Sequence, residues 1–415
     1  IEHIIDDIAR NVGKDPLSVR KINFYNKEKK RDITHYGQKI EQHIIPALVN
    51  RLETTSDYWK RKAEIKIFNS KSELFKKGLA LTPVKFGISF TVKHMNQAGA
   101  LVHIYTDGSI HLNHGGTEMG QGLFTKVAQI VAHVFDVDTG VISCSATRTD
   151  KVPNTSPTAA SSSTDLNGMA AKNAAEKIKD RLVMFAMAHF SVCKNEIQFL
   201  NGRVLIGKNT YAFKDFIMLA HINRISLSAT GFYRTPKIHY DRKTGKGRPF
   251  YYYANGAAVS EVIIDTLTGE YKVTRVDICH DVGTSINPAL DIGQIEGAFI
   301  QGMGWLTSEE LIWDCKGKLT TNNTASYKIP AISDTPISFN VELLPKSPNM
   351  EATIFHSKAV GEPPLMLAIS TWSALRDAIS SISDYRISPR LDTPATPERV
   401  FTAYELVRKQ ICGTD

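Results

Sequence analysis

Apolar side chains recur three or four residues apart at the start of the chain, which is the spacing of one face of an α-helix. The positions that form this stripe are Ile1, Ile4, Ile5, Ile8 and Val12. Gly13 follows as a stop signal, and Asp15-Pro16 is typical of the N-cap and first turn of a second helix. We interpret residues 1–76 as a helical lead-in rather than an independent domain. Because the stripe begins at the first residue, we expect the protein to continue upstream.

From about Lys77 the pattern changes to short strands that alternate with polar loops and helices. Asp107-Gly108 separates two strand-like runs and is a strong hairpin signal. The glycine-rich loop 114–122 then enters a helix with an apolar stripe. The Ser/Thr/Pro-rich loop 152–164 leads into a longer helix over residues 165–190. Hairpin, loop and helix together make one α+β unit.

The second half of the chain repeats this order. Strand-like runs at 257–264 and 271–280 are joined by a turn, and a polar loop then enters another helix. We therefore predict the α+β class, with two related strand-hairpin-plus-helix units. The first unit covers residues 77–243 and the second 244–415, with a break near 241–247.

Composition places the 415-residue chain among ordinary soluble globular proteins. Apolar residues make up 42% and charged residues 22%, which excludes the disordered, collagen-like and coiled-coil classes. No apolar run reaches the roughly 18 residues of a membrane span, so we expect no membrane partner. The net charge of +8 lacks the pattern of a nucleic-acid binder. Solvated faces, or contact with a more acidic partner, explain it better.

The cysteines are few and scattered. They are Cys144, Cys193, Cys279, Cys315 and Cys412. None forms a CxxC pair, so the usual spacing of a disulfide framework, a zinc knuckle or a cysteine-ligated iron–sulfur cluster is missing. A reducing, cytoplasmic setting is the natural interpretation.

Three loops, 114–122, 152–165 and 359–364, open directly into helices. Helix N-termini present free N–H groups and the positive end of the dipole, so a phosphorylated cofactor would fit these loops if they converge. Both standard phosphate motifs fail, because Gln121 stands where a P-loop has Lys and Thr125 where a Rossmann fingerprint has its third Gly. For one loop alone, glycines that only make turns are the simpler explanation.

Glu362 is the acid in the most suggestive position, between Gly361 and the stiff pair Pro363-Pro364 at the start of an apolar helix. A carboxylate held beside apolar neighbours can acquire a pKa suited to general-base catalysis. On the local pattern alone, a simple helix cap is the favoured role of Glu362. Glu118 in the first loop is also better explained by loop capping than by catalysis.

Five segments, in this order and spacing, resemble the molybdenum-binding part of the xanthine dehydrogenase family. They are Lys85–Thr91 (KFGISFT), Gly115–Gly122 (GGTEMGQG), Pro153–Gly168 (PNTSPTAASSSTDLNG), Asn287–Gln301 (NPALDIGQIEGAFIQ) and Val360–Leu365 (VGEPPL). The resemblance extends over essentially the whole chain. It covers only the back half of the family's molybdenum subunit.

The resemblance implies a role for each matching residue. Glu362 would be the general base that deprotonates a hydroxide on molybdenum, which then attacks a purine carbon. Phe90 would stack on the purine and Thr91 would contact it, with Ala159 and Ala160 lining the substrate site. The pterin cofactor would be contacted by Gly120, Gln121, Ser161, Ser163, Gln294 and Gly361. No protein ligand to the metal is expected, because the pterin dithiolene holds it.

The resemblance also implies partners. The missing front half would supply further substrate and cofactor contacts, and iron–sulfur clusters, FAD and NAD would bind other segments or chains. The intact enzyme would be a cytoplasmic dimer of heterodimers in purine catabolism that oxidises hypoxanthine and xanthine to urate. Two alternatives stay open: an aldehyde oxidase-like hydroxylase of the same superfamily, and a half-subunit that is catalytically silent without its upstream partner.

Overall fold

A computed structural model describes residues 1–150 and 154–413. Its α-helices are α1 (Glu2–Asn11), α2 (Pro16–Asn23), α3 (Ile45–Thr55), α4 (Tyr58–Lys71), α5 (Leu123–Phe135), α6 (Ser163–Phe190), α7 (Phe213–Ile222), α8 (Pro288–Thr307), α9 (Ile369–Ser380) and α10 (Pro397–Cys412). Its strands are β1 (Phe75–Ile88), β2 (Gln97–Ile104), β3 (Ile110–His114), β4 (Ile142–Cys144), β5 (Ile197–Leu200), β6 (Arg203–Ile206), β7 (Asn209–Ala212), β8 (Ser228–Arg234), β9 (His239–Asp241), β10 (Lys246–Arg248), β11 (Tyr252–Asp265), β12 (Tyr271–Asp281) and β13 (Ser338–Leu343). The α+β class is confirmed. Val152 and Pro153, which belong to the second predicted loop, lie outside the described residues.

Two four-stranded sheets have the same internal arrangement. The first has the order β8-β2-β3-β4 and the second β1-β11-β12-β13. In each sheet the first two pairings are antiparallel and the third is parallel. Each parallel pair is joined by a helical crossover, α5 in the first sheet and α8 in the second. This equivalence confirms the prediction of two related units.

The two units exchange their first strands. Along the chain β1 precedes the hairpin of the first unit, yet it pairs with β11 of the second over fourteen residues, from Phe75 opposite Asp265 to Ile88 opposite Tyr252. Likewise β8 precedes the second hairpin in sequence but pairs with β2. The three-part division of the chain stays a prediction, and the pairing of β1 departs from its assignment to residues 77–243.

Each exchanged strand carries one glycine that lets a helix lie directly on it. A Cβ at Gly78 of β1 would collide with the backbone of Ala374 in α9. A Cβ at Gly231 of β8 would collide with the backbone of Ala170 in α6 in the same way. Any side chain larger than that of glycine would block this close approach. The two glycines therefore allow β1 to pack against α9 and β8 to pack against α6.

Separate apolar cores fill the two units. The core of the first sheet lies under α5 and α6 and is built from residues between Ala98 and Ala229. The core of the second sheet lies under α8 and α9. The opposite face of the second sheet is covered by the helical lead-in, where Leu17, Leu48 and Tyr58 are fully buried. The helical lead-in therefore packs against the sheet of the second unit.

The first helix forms where its apolar stripe predicts, but the stripe faces solvent. Ile1, Ile4, Ile8 and Val12 are exposed, whereas Asp6 and Arg10 on the other face are buried. Arg376 of α9 contacts the Asp6 carboxylate at 3.5 Å, so ion pairs hold α1 against the molecule. The second helix is capped as predicted, since the Asp15 carboxylate accepts from the Leu17 N–H at 2.8 Å. In the described part of the chain, no helix has the length and apolarity needed to cross a membrane.

Candidate cofactor and active site

The three loops that open into helices converge on one pocket of about 340 Å³. Its walls come from the first turns of α5, α6 and α8 and from the segment 357–362 before a 3₁₀ helix, Pro363–Ala368. Two contacts join the loops directly. The Thr117 N–H donates to Thr158 Oγ1 at 2.8 Å, and Ser161 meets Glu362 across 201 residues of chain. The convergence on which a cofactor site depends is therefore confirmed.

Seven of the predicted site residues line this pocket. They are Gln121, Ala159, Ser161, Ser163, Gln294, Gly361 and Glu362. Four others do not line it, although two of these, Gly120 and Ala160, are direct neighbours of lining residues. Phe90 and Thr91 are the other two. They follow the end of β1, outside the pocket wall.

Glu362 is held by a single serine at two points. The Ser161 hydroxyl donates to Glu362 Oε2 at 2.8 Å, and the Glu362 N–H donates to the same hydroxyl oxygen at 2.8 Å. Glu362 occupies the N-cap position of the 3₁₀ helix, but among the described residues its carboxylate makes no capping hydrogen bond. The exposed carboxylate therefore belongs to the pocket mouth rather than to its own helix.

The backbone before α6 is strained where it meets Glu362. Ala160 and Ser161 have φ values of 53° and 52°, in the left-handed region that non-glycine residues rarely adopt. Strain of this kind costs of order 1–3 kcal/mol per residue and clusters at functional sites. Here it accompanies the turn that brings the Ser161 hydroxyl to Glu362.

Glu118 caps α5, as its position in the first loop predicts. Its carboxylate accepts the N–H groups of Gly120, Gly122 and Phe124 at 2.9–3.0 Å. Partial burial opposes ionisation, but these backbone hydrogen bonds outweigh it and hold the Glu118 pKa below its usual value. The side chain of Gln121 shapes the same loop, since its Oε1 accepts from the Met119 N–H at 2.6 Å.

A buried ion pair joins two of the helices at the pocket. Lys126 Nζ of α5 lies 2.5 Å from Asp291 Oδ1 of α8, and Ser285 Oγ donates to Asp291 Oδ2 at 2.5 Å. Neither residue of this pair is among the site residues that the sequence predicts. The available signal was a lysine on the apolar stripe of α5, between Leu123 and Ile130, because a charge on a buried face needs a partner.

A second buried acid, Asp165, lines the pocket from the first turn of α6. Burial raises the Asp165 pKa to about 7, against the opposing effects of the Tyr252 hydroxyl and the Lys126 charge. Tyr252 donates to Asp165 Oδ2 at 2.7 Å, and the Ala359 N–H donates to the Tyr252 hydroxyl at 2.9 Å. Nothing in the local sequence pattern signals this chain of contacts, because its members are distant in sequence.

The remaining charged group in the wall is also paired. Lys358 Nζ lies 2.5 Å from Asp281 Oδ2 and donates to Gln42 Oε1 at 2.9 Å. His280 beside it is fully buried, and burial lowers its pKa to about 4. Both lysines that line the pocket, Lys126 and Lys358, are thus committed to carboxylates. Any anion in the pocket would be held by neutral donors and helix N-termini.

Phe90 and Thr91 lie on a turn that Asn96 stabilises. The Phe90 N–H donates to Asn96 Oδ1 at 2.8 Å, and Asn96 Nδ2 donates to the Phe90 carbonyl at 2.9 Å. Ser89 before them has φ 139°, and its hydroxyl donates to the Pro249 carbonyl at 2.9 Å. Phe90 is half-buried and Thr91 is exposed.

The pocket fits an anionic organic cofactor. Its volume lies within the range of roughly 300–1,000 Å³ that is usual for small-molecule sites. Helix N-termini and the side chains of Gln121, Ser163 and Gln294 supply neutral hydrogen-bond donors. In residues 1–150 and 154–413, no group of three or more His, Cys, Asp or Glu side chains could hold a metal ion.

Comparison with known proteins assigns the chain to a family. Residues 51–336 match the model of the molybdopterin cofactor-binding domain, and the chain belongs to that family. It is 48% identical to a xanthine dehydrogenase/oxidase of Gallus gallus over 402 residues, which is 96% of this chain and 28% of the relative. A xanthine dehydrogenase of Dictyostelium discoideum is 44% identical over 408 residues, 97% of this chain and 28% of the relative. The chain thus spans less than a third of these relatives.

Solved structures share the fold. Reconstituted CO dehydrogenase from Oligotropha carboxidovorans superposes with a TM-score of 0.84 at 22% identity, over 99% of this chain and 51% of that one. Quinoline 2-oxidoreductase from Pseudomonas putida 86 superposes with a TM-score of 0.82 at 22% identity, over 97% of this chain and 51% of that one. At this identity the likeness concerns the fold alone.

Proposed function

We propose that this chain is the cofactor-holding half of the molybdenum subunit of a purine hydroxylase that oxidises hypoxanthine and xanthine to urate. The observation that carries the proposal is the Glu362 carboxylate, held by Ser161 at the mouth of a pocket built from helix N-termini. The family assignment and the names of the relatives support the same class of reaction.

Uncharged groups hold the cofactor in this proposal. Gln121, Ser163 and Gln294 donate hydrogen bonds to its polar edge, and Gly361 lets the backbone come close. The N–H groups of the first turns of α5, α6 and α8 offset its negative charge. When bound, the molybdopterin cofactor supplies the two-electron redox chemistry that these side chains lack.

Glu362 is the general base in this proposal. Its carboxylate takes up the proton of the water-derived nucleophile, and the Ser161 hydroxyl keeps Oε2 in place while it does so. Ala159 lines the wall beside Ser161 on the substrate side, with Ala160 next to it. General-base catalysis of this kind contributes roughly 10²- to 10⁴-fold to the rate.

The substrate in this proposal is a flat purine. The half-buried Phe90 ring offers a stacking surface and Thr91 an exposed hydroxyl, on a turn that Asn96 holds in place. The upstream half of the subunit closes the other side of the substrate site, and iron–sulfur and FAD segments carry the electrons onward to NAD. An aldehyde is the second candidate substrate, because Phe90 and Thr91, which would contact a purine in this proposal, lie outside the pocket wall.

Turnover of the intact enzyme tests the proposal. The holoenzyme that contains this chain, with its molybdenum and sulfur content verified, is assayed for urate formation from xanthine and hypoxanthine and for oxidation of benzaldehyde. We expect kcat/KM for the purines to exceed that for the aldehyde. A fully loaded enzyme that oxidises the aldehyde but forms no urate would move the substrate assignment to aldehydes.

A further inference from the structure

Tyr252 connects the segment that carries Glu362 to the helix that lines the pocket. Tyr252 is the first residue of β11 and is buried. Its hydroxyl lies 2.7 Å from Asp165 Oδ2 in the first turn of α6 and 2.9 Å from the Ala359 nitrogen. Only Val360 and Gly361 separate Ala359 from Glu362.

We propose that Tyr252 and Asp165 are positioning residues that fix the Glu362 segment against the start of α6. The inference rests on the proposed role of Glu362 as the base. The segment is attached to the same helix start at two points: Ser161 holds Glu362 itself, and Asp165 holds Ala359 through Tyr252. Two attachments three residues apart leave the intervening backbone little freedom to move the carboxylate.

The direction of the hydrogen bonds makes Asp165 a necessary member of the chain. The Ala359 N–H can only donate, so the Tyr252 oxygen accepts there and its single proton must go to another acceptor. Asp165 Oδ2 is that acceptor. Within the described residues no lysine or arginine forms an ion pair with Asp165. The nearby Lys126 is paired with Asp291 instead. The hydrogen-bond partner of the buried Asp165 carboxyl group is therefore the neutral Tyr252 hydroxyl.

Tyr252 also borders the proposed substrate segment. In the β1–β11 pairing it lies opposite Ile88, two residues before Phe90. The buried Tyr252 thus adjoins the end of β1 that leads to Phe90, and its hydroxyl also holds the segment that leads to Glu362. A shift of Tyr252 would change the spacing between the two.

Hydrogen exchange and steady-state kinetics of the holoenzyme test the inference together. In Tyr252→Phe we expect the amide of Ala359, followed in the peptide 357–365, to exchange roughly 2- to 10-fold faster, the effect of one lost hydrogen bond. We expect kcat to fall about 10- to 100-fold, as for a misplaced catalytic group, with KM and molybdenum content close to wild type. The matched control is Tyr253→Phe, whose hydroxyl bonds to Tyr36 instead, and it should leave both readouts unchanged.

Two substitutions of Asp165 separate positioning from packing. Asp165→Asn keeps an oxygen that accepts from Tyr252, so amide exchange in the peptide 357–365 and kcat should both stay close to wild type. Asp165→Leu keeps the branching at Cγ but has no acceptor, so it should behave as Tyr252→Phe does, and it serves if Tyr252→Phe does not fold. Equal loss of kcat in the Asn and Leu variants would overturn the inference.

Three further results would also overturn it. One is unchanged exchange of the 357–365 peptide in Tyr252→Phe, and another is faster exchange with kcat within about twofold of wild type. The third is loss of molybdenum from a folded Tyr252→Phe enzyme, which would make Tyr252 a cofactor-retention residue. Failure of the base assignment is distinguishable, because Glu362→Gln would then retain turnover whatever the exchange of the peptide shows.

Discussion

Glu362 and Asp165 lie at the same pocket in opposite surroundings. Glu362 is exposed and its carboxylate accepts a hydrogen bond from the Ser161 hydroxyl. Asp165 is buried and accepts a hydrogen bond from the neutral Tyr252 hydroxyl. One acid is accessible to a reacting molecule, and the other keeps the backbone around it in place. The two carboxyl groups thus differ in exposure and in hydrogen-bond partner, and the sequence drew attention only to Glu362.

The raised pKa of Asp165, about 7, makes stability depend on pH. Its ordinary value is 3.8, so between these two values the folded state binds more protons than the unfolded state. The stabilising effect of the protonated form is complete below the unfolded value and is lost as pH rises through about 7. Asp165→Asn has no such titration. We expect the melting temperature of Asp165→Asn, compared with that of wild type, to be higher at pH 8 than at pH 5. An equal difference at both pH values would contradict this.

At the scale of secondary structure elements, the pocket depends on helix starts that are joined by side chains. Ser161 joins the start of α6 to the segment before the 3₁₀ helix, and Lys126 joins α5 to Asp291 of α8. A buried ion pair that is broken on one side leaves an uncompensated charge, whereas replacing both partners removes the charge altogether.

The Lys126–Asp291 pair therefore gives a test at this scale. We expect Lys126→Met to lower the free energy of unfolding by about 3–5 kcal/mol, because Asp291 then stays buried without its cation. The double variant Lys126→Met/Asp291→Leu should cost less than the single one. Urea titrations of both variants and of Asp291→Leu complete the cycle, and additive losses would show that the two residues do not interact.

At the scale of the whole molecule, the exchanged first strands tie the two units together. The second sheet takes β1 from the region before the first hairpin, and the first sheet takes β8 from the region before the second. The pocket lies between equivalent parts, since α5 and α6 of the first unit correspond to α8 and the 3₁₀–α9 segment of the second.

Fragments test this exchange. Residues 92–241 contain all four strands of the first sheet and its core, so we expect this fragment to melt cooperatively. Residues 244–415 lack β1 and the apolar side chains that it contributes, so they should not melt cooperatively alone. A peptide that spans β1 should restore structure when it is co-expressed with residues 244–415. Cooperative melting of 244–415 without that peptide, followed by circular dichroism, would show that the exchange is not needed for folding.

The sequence predicts the local features of this protein well. Asp107-Gly108 predicts the β2–β3 hairpin, Asp15 the cap of α2 and Glu118 the cap of α5, because each signal and its structure lie within a few residues. The loops that meet at the pocket are recognisable as openings into helices. The exchange of β1 and β8 is not predictable from local patterns, because β1 pairs with β11 and β8 with β2, and each partner is distant in sequence.

Long-range polar contacts are hidden in the same way. Asp165 and Tyr252 are 87 residues apart, and neither carries a local pattern that calls for the other. The orientation of α1 is not predictable for a related reason. Ion pairs with α9, among them Arg376 with Asp6, bind the polar face of α1, and those partners lie near the other end of the chain.

Turnover of Glu362→Gln in the holoenzyme, with xanthine as substrate, tests directly whether Glu362 is the general base. The glutamine keeps the size of the side chain and still offers an oxygen to Ser161, but it accepts no proton. We expect kcat to fall at least about 100-fold, as for loss of a general base, with molybdenum and pterin content unchanged. Glu310→Gln, a carboxylate paired with Arg399 outside the pocket wall, is the control and should keep full activity. Urate formation within a few fold of wild type in a fully loaded Glu362→Gln enzyme would show that Glu362 is not the general base.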